Sequence, residues 1–534
     1  MAEEIVDVAL VGYGPVGQLL AILLGQRGWK VRAFERWPEP YPLPRAVHLD
    51  HEVARILQGA GVIEALLPRT EAASIYEWRN ADGDVLIRIG RDAERSLSGW
   101  PESLMFCQPE LERILDQRVR SLPSVQVGWG SDVVGVRDAG DHVELDARRG
   151  HDDTRSLRAR FAVGCDGARS FVRGVVDPAW QDLGFAFDWL VVDVVPREPR
   201  SWDPMNWQLC DPARPTTVVS GGPGRRRWEF MRLPHETLDE LNSEAAAWRL
   251  LERWEIRPDN AQLERHAVYT FRGAWADAWR KGRILLAGDA AHLTPPFVGQ
   301  GLCSGMRDAA NLAWKLDLVL AGRAAEPLLD TYTSERLPHV RALIEFAVSL
   351  GRVICVPDPA EAAERDRRMI AEQRERKEGV AAELPVLGPG CFAPSPAAGQ
   401  LFVQDRVRRD GATGLFDDVV GRGFALVSPH ADPARVLGPE LGGFFDSLGG
   451  ITAHVAPEGP VTDLAGSYAH WFDEKGVAVA LQRPDYAVFG TAGTLGGAAE
   501  LVATLRAKLA ADPSYRKALP RGERRGGDRL RRQR

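Results

Sequence analysis

The chain has 534 residues, enough for about two to four domains at roughly 100–200 residues each. Hydrophobic residues make up 45% and charged residues 26%, a globular balance with room for a large core. The net charge of -7 offers no general attraction to nucleic acid or an anionic membrane, and no apolar run reaches the roughly 18 residues of a membrane span.

The six cysteines are scattered with no CxxC spacing. Neither a zinc site nor a dithiol motif is expected, and the pattern suits reduced thiols in a cytoplasm. The start, MAEEIVDVALVGYG, lacks the basic stretch and cleavage region of a secretion signal, so a cytoplasmic protein is expected.

Residues 5–11, IVDVALV, predict a buried parallel strand. Gly12 to Gly17 follow, then QLLAILLGQRG predicts an apolar helix ending near Gly28. Residues 30–35, KVRAFE, form the next strand and complete a β-α-β unit. Helical spacing covers 51–66, and residues 75–90 predict a hairpin turning at Asp82-Gly83. A helix at 108–121 precedes strands to about 164. Between 176 and 267, strand-like runs such as DWLVVDVV and RRWEFMRL alternate, with one acidic helix near 236–254. This pattern predicts an antiparallel sheet beside the nucleotide fold, and Trp202 and Trp207 fall within it.

RILLAG at 283–288 is a second buried strand, and a long helical stretch begins near 301 and continues past 345. Residues 355–398, rich in charge, Pro and Gly, predict a linker with a helix in its first half. Strand and helix signals resume over 399–515 as a small α/β unit. The tail RGERRGGDRLRRQR carries seven arginines and is expected to be disordered and solvated, with binding of nucleic acid or an acidic partner as the alternative.

The strongest local signal is Gly12-Tyr13-Gly14-Pro15-Val16-Gly17 between strand and helix. Gly12 permits the tight turn, Gly14 lets backbone approach a pyrophosphate, and Gly17 lets helix and strand pack closely. The helix N-terminus offers free N–H groups to phosphates. Glu35 ends the second strand, 18 residues after Gly17, where a carboxylate can accept both hydroxyls of an adenosine ribose. Arg36 follows it. This motif alone does not choose between FAD and NAD.

Two later stretches make that choice: Gly164-Cys165-Asp166-Gly167-Ala168-Arg169, and Gly288-Asp289-Ala290-Ala291-His292 running on to Gly299-Gln300-Gly301-Leu302. With the first motif they resemble the FAD-dependent aromatic hydroxylases of the p-hydroxybenzoate hydroxylase fold. Further matching stretches, among them FCQPELERIL, RRRWEFMRLP and GQGLCSGMRDAANLAWKLDLVLAG, are most similar to the 3-(3-hydroxyphenyl)propionate hydroxylase branch, over about residues 5–350. Resemblance continues more weakly to LQRPDYAVFG, in a C-terminal unit that is thioredoxin-like in this family.

The resemblance implies an α/β fold: a Rossmann-like FAD-binding domain (1–75, 100–175 and 268–350), an inserted antiparallel-sheet substrate domain (76–99 and 176–267), a helix and linker (351–398), a thioredoxin-like domain (399–515) and a basic tail (516–534). It implies that Gly12, Gly14, Pro15, Gly17, Glu35, Arg36, Arg45, Gln108, Asp166, Gly288, Asp289, Gly299, Gln300, Gly301 and Leu302 contact FAD. Cys303 stands where many of these enzymes carry Asn. NADH or NADPH is the implied co-substrate, bound transiently, because the chain has no second GxGxxG fold. A homodimer is expected from resemblance alone.

The implied reaction is hydroxylation of a phenolic aromatic compound by NAD(P)H and O₂ through a flavin hydroperoxide, on 3-(3-hydroxyphenyl)propionate or a similar phenol. A multi-ring phenol such as a polyketide is the alternative within the family, and an FAD-dependent dehydrogenase without oxygen insertion the alternative outside it. Such chemistry needs a base or hydrogen-bond relay beside the phenol and a dry cavity. His48, three residues after Arg45, is the candidate base, with an ordinary pKa of about 6.5 suited to neutral pH. Its competing reading is a histidine hydrogen-bonded within its loop or pointing to solvent. Tyr269 is the second candidate; Asp50 and His51 are weaker ones. His292 is expected to be a structural ring. Arg225, Arg226 and Arg227 suggest attraction for a carboxylate, or more plainly a solvated strand edge.

Overall fold

The computed structural model describes residues 5–94, 96–150, 153–375 and 384–510. The basic tail therefore lies outside the described residues. Among the described residues, no helix is long and apolar enough to cross a membrane.

The first strand, Val6–Val11, holds Val8, Ala9 and Leu10 fully buried, as a strand covered on both faces must. Five parallel strands lie in the order 284–286, 153–164, 6–11, 31–35 and 125–129. Helix Pro15–Gly25 packs against this sheet between the helices Gly301–Leu320 and Gln108–Arg120. The long helical stretch expected from 301 onward is in fact two helices, Gly301–Leu320 and Asp330–Ile354. Gly322, with φ +68, turns the chain there, and Pro327 opens a short 3₁₀ turn before it resumes.

A second sheet has eight strands, ordered 292–293, 261–276, 180–196, 226–231, 216–220, 206–209, 75–79 and 85–90. The hairpin Ile75–Arg79 and Val85–Gly90 joins its edge, and Gly83 takes φ +90 in the turn. Residues alternate across this sheet. Leu190, Val192, Val194, Val218, Trp228 and Phe230 pack on one face with Leu241 and Leu251 of the acidic helical segment. Val191, Thr217, Val219, Arg227 and Glu229 occupy the other face and line a cavity.

The C-terminal residues form a third sheet of seven strands. Two buried ionic clusters hold it to the rest. Arg55 gives Nε and Nη2 to Asp417 at 2.7 and 2.9 Å and Nη1 to the Phe402 carbonyl. Arg483 pairs with Glu335 at 2.9 Å, and Glu335 also receives Lys315 at 2.8 Å.

Candidate active site

The glycine loop is built by steric necessity. Gly12 has φ +98, and a Cβ there would lie 2.4 Å from the Cys165 carbonyl oxygen, so only glycine lets these strand ends approach. A Cβ on Gly17 would meet the Gly12 carbonyl at 2.4 Å. Gly14 is open, its nearest neighbour being Arg45 Nη2 at 3.9 Å. The first helix starts at Pro15 with no side-chain cap, leaving N–H groups for a ligand's phosphates. Glu35 accepts the backbone N–H groups of Tyr13 at 3.0 Å and Trp37 at 3.1 Å, so its carboxylate also braces this loop. Arg36 is exposed and stacks over Trp37.

A cavity of about 520 Å³ lies between this loop, the start of helix Gly301–Leu320 and the polar face of the second sheet. Gly14, Pro15, Arg45, Gln108, Asp289, Gly299, Gly301 and Leu302 line one end. Gln108 accepts the Ala46 N–H at 2.6 Å and donates to Glu112 at 2.6 Å, which fixes the loop carrying Arg45. Arg45 Nη2 lies 3.5 Å from the same Glu112. Asp289 is exposed on the cavity wall, and helix Gly301–Leu320 begins there without a side-chain cap. Two uncapped helix mouths, a free-standing carboxylate and an arginine fit a dinucleotide that carries both phosphates and a polar ring edge.

Three expected contacts are placed differently. Asp166 does not line the cavity: its carboxylate accepts Ser170 Oγ at 2.5 Å and the N–H groups of Phe171 at 2.7 Å and Val172 at 3.1 Å. It is spent on the start of the short helix Phe171–Val176, while the backbone beside it, at Cys165, Gly167 and Ala168, faces the cavity. The Gln300 side chain donates to Asp50 at 2.9 Å and accepts from Arg307 at 3.0 Å, so it supports the wall from behind. Gly288 takes φ +62 with Val16 Cγ2 3.1 Å from its would-be Cβ, a packing role.

Asp50 also pairs with Arg307 at 2.6 Å, and His51 shares a hydrogen bond with Ser98 at 3.1 Å. His292 Nε2 bonds Asp308 at 2.8 Å in full burial, the structural ring expected. Cys303 directs its thiol at the Gly299 carbonyl at 3.5 Å and the His48 carbonyl at 3.8 Å.

His48 lines the cavity, with Nδ1 3.1 Å from the Gly299 carbonyl. That contact requires Nδ1–H and leaves Nε2 as an acceptor. Burial, then the Arg91 charge, lowers its pKa to about 4, so the ordinary value expected from sequence does not apply and the ring is neutral at pH 7. Tyr269 lines the cavity at the sheet end.

The arginine run is no solvated edge. Strand Arg226–Met231 lies inside the sheet with all six residues buried. Arg227 gives Nε and Nη2 to Asp193 at 2.7 and 3.0 Å and also holds the Pro44 and Arg45 carbonyls, tying the sheet to the Arg45 loop. Arg226 points to the opposite face, 4.7 and 5.0 Å from the Trp202 and Trp207 rings. Arg225 reaches Glu110 and Glu264.

The sequence reading missed Glu229 and Arg265, both cavity-lining and only 5% and 4% exposed. Charge on the inward register of a buried strand was the available signal, visible only once the face of each strand is known.

A family model described as FAD binding domain matches residues 5–347, and one described as HcaD C-terminal domain matches 399–508. A probable NADH-specific resorcinol 4-hydroxylase of Rhodococcus jostii (strain RHA1) is 40% identical over 520 residues, 96% of this chain and 97% of its own length. A 3-(3-hydroxy-phenyl)propionate/3-hydroxycinnamic acid hydroxylase of Mycobacterium sp. (strain KMS) is 35% identical, covering 91% of this chain and 88% of its own. Among solved structures, the flavin-dependent monooxygenase PieE, in complex with FAD and substrate, aligns with a TM-score of 0.81 at 22% identity, over 95% of this chain and 99% of PieE, a likeness of fold. The full-length match to these hydroxylases and the geometry of the glycine loop agree: the chain belongs to the FAD-dependent aromatic hydroxylases, flavin monooxygenases that take FAD as cofactor and NAD(P)H as co-substrate.

Proposed function

We propose that the chain hydroxylates a single-ring phenol carrying a second polar group, such as 3-(3-hydroxyphenyl)propionate or resorcinol, with NADH and O₂. One observation carries this reading: a single cavity has dinucleotide-holding groups at one end and polar side chains of a sheet at the other. Its volume of about 520 Å³ must take the flavin ring as well as the substrate, which favours one ring over several. The NADH choice rests on the Rhodococcus relative, which is named as NADH-specific.

Bound FAD supplies hydride acceptance from nicotinamide and transfer of one oxygen atom from O₂ to the ring. In our reading the backbone at Gly14 and Pro15 holds the pyrophosphate, and Glu35 and Arg36 flank the adenosine. Arg45, Gln108 and Asp289 position the flavin ring and its ribityl chain. The N–H groups opening helix Gly301–Leu320 stabilise negative charge on the pyrimidine edge. His48 offers Nε2 to the phenol hydroxyl. With a pKa near 4 it draws density from the O–H by accepting a hydrogen bond rather than by removing the proton outright. Tyr269 bounds the ring's position.

The domain reading follows the same lines. Residues 1–75, 100–175 and 268–350 form the FAD-binding part and 76–99 and 176–267 the substrate part, although strand Ala261–Ala276 runs through the boundary at 267. The unit at 399–515 is read as thioredoxin-like. Support comes from its strand order 451–456, 425–428, 479–482 and 488–492, the first pair parallel and the others antiparallel. It contains no cysteine, so its part is to clamp rather than to exchange thiols. A cytoplasmic setting agrees with six unpaired thiols.

The test is NADH oxidation by the holoenzyme over a phenol panel, with product mass measured under ¹⁸O₂. One labelled oxygen in the product is expected. NADH oxidation that yields a reduced, unlabelled organic product, without hydrogen peroxide, would establish the dehydrogenase/reductase reading instead. Protein that cannot be loaded with FAD would overturn the cofactor assignment.

A further inference from the structure

The sheet end of the cavity holds an incomplete charge pairing. Asp193 accepts Arg227 Nε and Nη2 on its two oxygens, at 2.7 and 3.0 Å. Arg265 Nη1 reaches Asp193 only at 3.7 Å, and Arg265 Nε and Nη1 are buried with no hydrogen-bond partner. The Tyr269 ring lies 4.7 Å from the Arg265 guanidinium and covers it. Glu229 approaches Arg227 Nη1 no closer than 3.8 Å. Buried donors left unpaired are costly, so such a site is completed by what it binds.

Register places the two groups around one spot. Val191 pairs with Glu229 on one side and Ala267 on the other; Asp193, two residues on, pairs with Arg227 and Arg265. Glu229 and Arg265 therefore face each other diagonally over Val191, which lines the cavity between them. A hydroxyl over Val191 satisfies both groups, because it accepts from a guanidinium and donates to a carboxylate. A carboxylate only accepts. It would pair with Arg265 but give Glu229 no donor, and it would set three carboxyl groups against the two arginines, Arg227 and Arg265. Burial pushes the Glu229 carboxyl up to about 7, so extra negative charge there would demand a proton.

We infer that Glu229 and Arg265 form a receptor for a second, neutral hydroxyl on the substrate ring, so that this enzyme favours dihydroxybenzenes over phenols bearing a carboxylate tail. The inference rests on the phenol-hydroxylase reading and narrows it.

The test compares holoenzyme and Glu229→Gln by the perturbation of flavin absorbance on titration with resorcinol, phenol and 3-(3-hydroxyphenyl)propionate. Wild type is expected to bind resorcinol about tenfold or more tighter than phenol. Glu229→Gln should erase that advantage, leave phenol within about twofold, and strengthen the carboxylate compound. A change of opposite sign for two ligands is something a merely structural role would not produce. If Glu229→Gln loses flavin, Arg265→Lys carries the same comparison, and it too should weaken resorcinol selectively. Equal weakening of resorcinol and phenol, or a wild-type preference for the carboxylate compound, overturns the receptor while phenol hydroxylation stands. If no phenol perturbs the flavin or is turned over, the phenol reading falls and the receptor with it.

Discussion

The two ends of the cavity are built on different principles. The end assigned to FAD is mostly backbone: glycines that leave room, helix mouths that leave N–H groups free, and a few side chains such as Asp289 and Arg45. The sheet end is mostly side chain: Arg227, Glu229, Arg265 and Tyr269 project from two strands, 226–231 and 261–276, that are separate in sequence. A backbone site is intolerant because added atoms have nowhere to go. A side-chain site is adjustable, because single substitutions change charge and donors without moving the chain. The comparison predicts all-or-none losses at the first end and graded, ligand-dependent changes at the second.

The sharpest way to break that contrast is Gly12→Ala. Its Cβ would lie 2.4 Å from the Cys165 carbonyl at φ +98, so strain and overlap together cost about 4 kcal/mol or more. Purified variant should carry less than about one tenth of the wild-type flavin. Full flavin content, read from the ratio of visible to ultraviolet absorbance, would contradict the backbone account.

A step smaller is Arg227→Met, which strips Asp193 of its bidentate partner and releases the Pro44 and Arg45 carbonyls. Leaving a buried carboxylate so poorly paired costs about 3 kcal/mol in a denaturant titration. Flavin should still bind, more weakly, because the glycine loop is untouched. Unchanged stability would show that Arg265 already balances Asp193.

The smallest effect concerns His48, where the two ends meet. Its pKa is near 4 in the fold and about 6.5 unfolded, so between those values the unfolded chain binds the extra proton. The His48 contribution is therefore fully present above pH 6.5 and lost as pH falls towards 4. By pH 5 the loss is about 2 kcal/mol. His48→Asn should flatten the acid limb of the melting-temperature curve by that share, and an unaltered slope would sink the assignment of a neutral, half-buried ring.

Legibility from sequence follows the same division. The β-α-β unit and the glycine loop were visible because backbone recognition needs fixed spacing along one stretch of chain, whereas Asp289 and Gln108, which line the cavity, entered through the family resemblance. Arg225 to Arg227 misled: three adjacent arginines resemble a solvated edge, yet the strand is interior and successive residues point to opposite faces. Asp166 stands differently. Its dipeptide sits beside the cavity, but its carboxylate is closer to the free N–H groups of the short helix it precedes. The long helical stretch expected from 301 is split in two where Gly322 and Pro327 interrupt the helical pattern.

What the sequence determined by itself is whatever local geometry enforces: the nucleotide loop and the strand-helix-strand unit that carries it. The tertiary structure decided which residues line one cavity, because Glu229, Arg265 and His48 come from separate strands that only the fold brings together. It also decided their protonation, since burial and neighbouring charge, which set a pKa, come from the packing around a residue and not from its place in the chain.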